Sequence, residues 1–237
     1  MSFPCYLAMT AAEFSSAQTF PPHIAWMACH FSSYGTGLSN FPKALPPGSI
    51  LIINDRTPVQ GHSPQDITAQ LKDFISAFTP DGVLLDFQRP GIDETAKIAA
   101  ALTESLPCPV GVTAHYAAEL HCPVFLPPPP LYLPPEKYFS QWENRDIWLE
   151  AALENQCITL TETGSQLTDL PFCSLEEPNF TEEKSFCRYN IHIEKDSVHF
   201  TMSRDAASLE ALLKRAMELG ITKVIGLYQQ LQALWIG

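Results

Sequence analysis

The chain has 237 residues, 46% of them hydrophobic and 17% charged, with 26 acids against 14 bases for a formal net charge of −12. That length suits one large α/β domain with a substantial core, and the apolar content excludes a disordered chain. The acidic balance, without any run of Lys or Arg, argues against nucleic acid or an anionic membrane surface as the main partner.

The predicted elements are short apolar runs with helical stretches between many of them. "CYLAMT" near the start and "IAWMACHF" (24–31) have strand length, as does "SILIIN" (49–54). A helix over 64–78 follows, with Ser63 as N-cap, Pro64 at its first position and Ile67, Leu71, Phe74, Ile75 and Phe78 at helical spacing. "GVLLDF" (82–87) is the next strand and 93–105 the next helix. "PVGVTAHY" (109–116) and "CPVFL" (122–126) complete the central strands. The four consecutive prolines of "PVFLPPPPLYLPP" (123–135) force an extended path, read as a stiff connector in preference to a ligand for a proline-binding domain. Trp142, Ile147, Trp148 and Leu153 suggest a helix over 141–153, and "CITLT" (157–161) a further barrel strand. Residues 188–203 alternate strictly, with Tyr189, Ile191, Ile193, Val198, Phe200 and Met202 on one face. This predicts an antiparallel hairpin with that face buried and His192 and His199 on the wet side. Residues 206–219 form the clearest helix, capped by Asp205 and stopped by Gly220, and "KVIGLY" (223–228) is the last strand.

Strand–helix alternation predicts an α/β fold: an irregular (β/α)8 TIM-type barrel over residues 1–237 as a single domain, with the 188–203 hairpin added within it. Seven scattered cysteines without a C-x-x-C pair point to reduced thiols. No secretory leader is visible and no apolar run approaches the ~20 residues of a membrane helix, so the expected location is the cytoplasm and no membrane partner is expected. No G-x-G-x-x-G, P-loop, H-E-x-x-H or G-x-S-x-G pattern occurs, and no cofactor or metal is expected.

In such a barrel the chemistry sits where strands end, so the polar residues there are the candidates. Strand 49–54 exits into Asp55 and Arg56, strand 82–87 into Asp86, Gln88 and Arg89, strand 109–116 into His115 and Tyr116, and strand 157–161 into Glu162. Alternation puts Leu84, Asp86 and Gln88 on one face of their strand and the apolar Val83, Leu85 and Phe87 on the other, which should meet the helices. Asp86 then points inward and needs a partner, for which Arg89, Arg56 and His115 are at hand. The alternative is that Asp86 anchors a loop through backbone N–H groups. A divalent ion held by Asp55, Asp86, His115 and Glu162 is the less favoured reading of the same exits. Trp26, Trp142, Trp148 and Trp235 offer sugar-stacking faces, though most should be packing.

Residues 81–88, "DGVLLDFQ", resemble the D-G-x-D-x-D-x-E signature of the family 18 glycoside hydrolases, the chitinase-like barrels. Asp81, Gly82 and Asp86 match it. Leu84 stands where the family has its middle Asp, and Gln88 where it has the Glu that protonates the leaving oxygen. The resemblance implies a barrel whose Asp86 orients the acetamido group of a sugar, but a Gln has no titratable proton and cannot be the general acid. The expected function is therefore non-hydrolytic binding of a small polar ligand, best fitted by an N-acetylated sugar, at Asp55, Arg56, Asp86, Gln88, Arg89, His115, Tyr116 and Glu162. Two alternatives stand beside it. One is a glycosidase using Asp55, Asp86 or Glu162, and the other a protein-interaction module using the proline-rich loop.

Overall fold

The computed structural model describes residues 5–172 and 180–235. Its first half runs β1 (Cys5–Met9), α1 (Ala11–Ser16), β2 (Ile24–Phe31), β3 (Leu38–Ser39), β4 (Ile50–Asn54), α2 (Pro64–Phe78), β5 (Gly82–Asp86), α3 (Asp93–Ser105), β6 (Val110–Thr113), α4 (Ala114–Ala117) and β7 (Val124–Leu126). Then come α5 (Pro135–Phe139), a 3-10 turn over Ser140–Trp142, β8 (Ile147–Ala151), β9 (Glu154–Thr161), β10 (Gly164–Leu170), β11 (Phe180–Glu182), β12 (Cys187–Ile193) and β13 (Ser197–Arg204). The chain closes with α6 (Ala206–Glu218), β14 (Lys223–Leu227) and α7 (Tyr228–Trp235).

Eight strands lie side by side in the order β1-β14-β8-β7-β6-β5-β4-β2, and β1 also pairs with β2. The sheet therefore closes on itself as an eight-stranded parallel barrel. The described chain divides into two compact units. The first runs through Leu126 and takes in Arg145–Glu150 and the chain from Thr222 onward, so it holds the barrel. The second is Pro127–Asn144 with Ala151–Ile221, built on a five-stranded antiparallel sheet in the order β10-β9-β13-β12-β11.

Helix α2 begins where its sequence says. The Ser63 side chain accepts from the Asp66 N–H at 3.3 Å, Pro64 fills the first turn, and Ile67, Leu71, Phe74 and Ile75 are buried. Asp205 caps α6 in the same way, accepting from the Ser208 N–H at 2.9 Å.

Two expectations are corrected. Residues 147–151 are not the end of a helix but the barrel strand β8, registered on β7 as Val124↔Ile147, Phe125↔Trp148 and Leu126↔Leu149. Asn144, with φ at +65°, breaks any helical path between Trp142 and Trp148. The run 157–161 is not a barrel strand either. It belongs to β9, which pairs antiparallel with β10 and β13 in the second unit. The 188–203 hairpin is present as β12 and β13, with Ile191 opposite Phe200 and His192 opposite His199, but as part of that larger sheet. Its apolar face is buried at Met202 and open at Ile193, which is 74% exposed.

The barrel interior is packed from below. Tyr6, Ala8, Ala25, Ile50, Ile52, Leu84, Phe125, Trp148 and Ile225 form one buried cluster. Trp148 is fully buried and lies against the backbones of β5 and β6. A Cβ built on Gly82 would come within 2.7 Å of its ring, and one on Gly111 within 2.5 Å. Glycine at both positions is what lets an indole fill this layer. At the strands' N-terminal end Asp81 accepts from Tyr6 Oη and pairs with Lys223 Nζ at 2.8 Å, and these donors hold its carboxyl below the usual range. Among the described residues the six cysteines are free thiols; Cys173 lies outside them. No helix among them is long and apolar enough to cross a membrane.

Candidate functional site

Above the Trp148 layer the inward-facing positions turn polar. On β4 the sequence Ile50, Ile52, Asn54 climbs from floor to mouth; on β5 it is Gly82, Leu84, Asp86; on β8 it is Trp148, Glu150. The upper members of these rows, Ile52, Asn54, Leu84, Asp86 and Glu150, line a cavity of about 380 Å³ with Met27, Phe125 and residues 225–227, its wall completed by Asp55, Arg56, Gln88 and Arg89. Val83, Leu85 and Phe87 are fully buried on the opposite face of the strand.

Asp55 is only 4% exposed, and its two carboxylate oxygens are taken by the chain of the neighbouring strand's exit. Oδ1 accepts from the Gln88 N–H at 3.1 Å and Oδ2 from the Arg89 N–H at 3.0 Å. The loop-anchoring role weighed for Asp86 thus falls to Asp55. Asn54 does similar work across to β2: its Nδ2 donates to the carbonyls of Met27 and Cys29, at 3.2 and 3.1 Å, where the register of β2 slips. The exits of β2, β4 and β5 are thereby tied together from within the protein.

Among the described residues Asp86 makes no hydrogen bond or ion pair with the partners expected for it, Arg89, Arg56 or His115, although His115 acts on its carboxyl through charge. Its carboxylate accepts from Gln88 Nε2. Burial pushes its pKa above the ordinary aspartate range, with the Asp55 charge adding to the effect; the Gln88 bond and His115 work against it. Arg89 turns away from Asp86 and donates through Nη2 to the Arg56 carbonyl at 2.7 Å.

His115 and Tyr116 sit on α4, directly after β6. Tyr116 Oη donates to the Arg89 carbonyl and accepts from the Ile92 N–H at 3.3 Å, so it braces the loop from β5 to α3. Its ring meets Phe87 edge-on at 6.2 Å, and the exposed His115 packs against it. Neither residue lines the cavity. Glu162 belongs to the second unit, in the exposed turn joining β9 and β10, and does not line it either. Of the four tryptophans, Trp148 floors the barrel and Trp26 is buried with Nε1 donating to the Asn40 carbonyl at 2.8 Å. Trp142 falls in the second unit, and the side chain of Trp235 lies outside the described residues.

Glu150 is the wall residue that the sequence reading missed. The signal was present in "IWLEA": if Trp148 is an inward strand residue, Glu150 two positions on must face the same way, toward the mouth. Among the described residues no group of three His, Cys, Asp or Glu is arranged to hold a metal ion.

The chain shares its fold, the closed eight-stranded parallel barrel, with chitinase-like proteins of known structure. It is similar over 93% of its length to 93% of a chitinase-like agglutinin from Robinia pseudoacacia, at 8% identity and a TM-score of 0.54. It is similar over 85% of its length to 90% of ydhD of Bacillus subtilis, at 11% identity and a TM-score of 0.50. A chitinase from Chromobacterium violaceum aligns over 94% of the chain and 93% of its own length, at 9% identity and a TM-score of 0.47. No protein-family model matches the chain, and no curated protein matches it in sequence.

Proposed function

We propose that the barrel mouth binds a carbohydrate and does not cleave it through residue 88. The observation that carries this reading is Gln88 at the cavity wall, its amide bonded to Asp86, in a barrel of chitinase-like fold. An amide can hold a hydroxyl or an acetamido group but has no proton to give a leaving oxygen. The Robinia neighbour, described as an agglutinin, is in keeping with a fold of this kind used for binding. Asp86, Gln88 and Asn54 supply directed polar contacts, and Met27, Phe125 and Leu227 an apolar wall for the ring.

One observation favours a second reading, a hydrolase. Asp86 retains its proton to higher pH than an ordinary aspartate, as a general acid does, and Glu150 supplies another carboxyl on the same wall. Asp55 is a poor candidate for acid or base because both oxygens already serve backbone N–H groups. The proline-rich segment has less to offer a partner: Pro129 and Leu131 are buried, and the Pro129 carbonyl accepts from Arg204 at 2.7 Å.

Calorimetric titration with chito-oligosaccharides and muropeptides, followed by product analysis, separates the readings. Binding without cleavage is expected, and it should be lost in Asp86→Ala. Cleavage abolished by Asp86→Asn would establish the hydrolase instead, and no binding at all would refute the sugar reading.

A further inference from the structure

Arginine pairing in this protein is uneven. Of its six arginines, three are matched with carboxylates: Arg188 with Asp205 at 2.8 Å, Arg204 with Glu154 at 2.5 Å, and Arg215 with Glu136 and Glu218 at 2.6 and 2.7 Å. A fourth, Arg145, is spent on the carbonyls of Ala117, Leu120 and Cys122. The remaining two, Arg56 and Arg89, both line the barrel cavity, and neither has an ion pair among the described residues. In a chain with 26 acids for 14 bases, unpaired arginines are the scarcer condition, and here two of them share one rim.

The pair is also held in place. Arg56 leaves the end of β4 and Arg89 the end of β5, adjacent strands whose exits Asp55 ties together through the Gln88 and Arg89 N–H groups. The Arg89 guanidinium is steered by its bond to the Arg56 carbonyl, while the Arg56 guanidinium has no hydrogen bond among the described residues. The acids nearest the two exits, Asp55 and Asp86, form no ion pair with either arginine among the described residues, and Glu150 stands on the β8 side of the same wall. Asp55 is saturated by backbone donors, and the Asp86 carboxyl is buried, bonded to Gln88 and shifted toward its neutral form. Two forked cations at the mouth of the cavity, neither ion-paired with a carboxylate among the described residues, are the arrangement that reads an acid group on a ligand.

We infer that the sugar bound at this mouth is an acidic one, its carboxylate received by Arg56 and Arg89. This rests on the carbohydrate reading above and narrows it. A uronic acid and a sugar bearing a lactyl ether both present such a carboxylate. A neutral chitin-type chain would leave both guanidiniums without a partner, gaining only the contacts of Asp86, Gln88 and Asn54.

The test compares oligosaccharides of similar size by calorimetry: a hyaluronan tetrasaccharide, in which N-acetylglucosamine alternates with glucuronate, a muramic-acid-containing muropeptide, and neutral chitotetraose. At least one acidic ligand should bind about tenfold more tightly than chitotetraose at low salt, and which one it is identifies the source of the carboxylate. The advantage should shrink in about 0.5 M NaCl, where charges at an open rim are screened. Arg56→Gln, whose guanidinium has no hydrogen bond among the described residues, should remove much of that advantage without altering the fold, and Arg56→Gln/Arg89→Gln nearly all of it. Equal binding of neutral and acidic ligands would overturn the inference and leave the carbohydrate reading intact. An acid preference that survives the double substitution would overturn the assignment to these arginines. Failure of all three ligands would overturn both readings.

Discussion

Replacing Asp55 by Ala tests whether the mouth is held together from within the barrel. The side chain is buried and gives its two oxygens to the N–H groups of Gln88 and Arg89, at 3.1 and 3.0 Å. Hydrogen bonds to a charged group contribute ~1.5–3 kcal/mol each, so the pair lost outright would cost roughly 3–6 kcal/mol. Gln88 and Arg89 have exposed side chains, so water entering the vacated space can reach their N–H groups and recover part of this. A destabilisation of about 2–3 kcal/mol remains. Asp55→Asn should fall between the parent and Ala, because one amide oxygen can still accept while the NH2 faces a donor. Urea unfolding followed by far-UV circular dichroism gives the comparison, with the unfolding of each unit fitted separately if two transitions appear. Because the lost bonds fix the backbone of residues 88 and 89, the carbohydrate binding proposed for this mouth should weaken in both variants. An Asp55→Ala protein within 0.5 kcal/mol of the parent would refute the anchoring argument and return Asp55 to the list of ligand contacts.

Three further outcomes are expected. Gly111→Ala forces a methyl to within 2.5 Å of the buried Trp148 ring and should cost ~1–3 kcal/mol, read from thermal melts, whereas a neutral result would mean the indole has room to move. Asp86 holds its proton more tightly folded than unfolded, so its contribution to stability is complete below the ordinary aspartate pKa and lost as pH rises through its raised folded value. Asp86→Asn, always neutral, should therefore be more stable than the parent at neutral pH and match it in acid; parallel stability curves would contradict this. Arg204 is fully buried against Glu154, and Arg204→Ala should destabilise the second unit by ~3–5 kcal/mol by stranding that carboxylate. The double change with Glu154→Gln should recover much of the loss in the same denaturation assay.

How much of this was legible in sequence depended on whether a residue's neighbours in the chain decide its role. The parity of "GVLLDFQ" did: Leu84 and Asp86 face inward and Val83, Leu85 and Phe87 outward because a strand alternates whatever surrounds it. The caps of α2 and α6 were local too. β8 was hidden because Trp142, Ile147, Trp148 and Leu153 happen to fall near helical spacing, and nothing local announces that Asn144 takes a left-handed conformation. "CITLT" carried a clue that went unused: its apolar residues alternate with polar ones, the mark of a sheet wet on one side, where a parallel barrel strand is apolar on both. The division of labour between Asp55 and Asp86 could not be read at all. Each acid follows a strand of apolar residues, and only the pairing of β4 with β5 decides which one meets the backbone donors.

The closing of the barrel has a consequence for how the protein is made. β14 sits between β1 and β8, and Cys5 finds its partner in Val224. Until that strand emerges from the ribosome, β1 and β8 are bare edges, each a row of unpaired backbone groups open to other chains. The chain of the second unit ends at residue 221, so all of it is synthesised before the barrel that encloses its sequence can shut. Loss of residues 223–227 would remove one strand and expose the edges of two, so chains lacking this short segment should aggregate more readily than the loss of five core residues alone would make them.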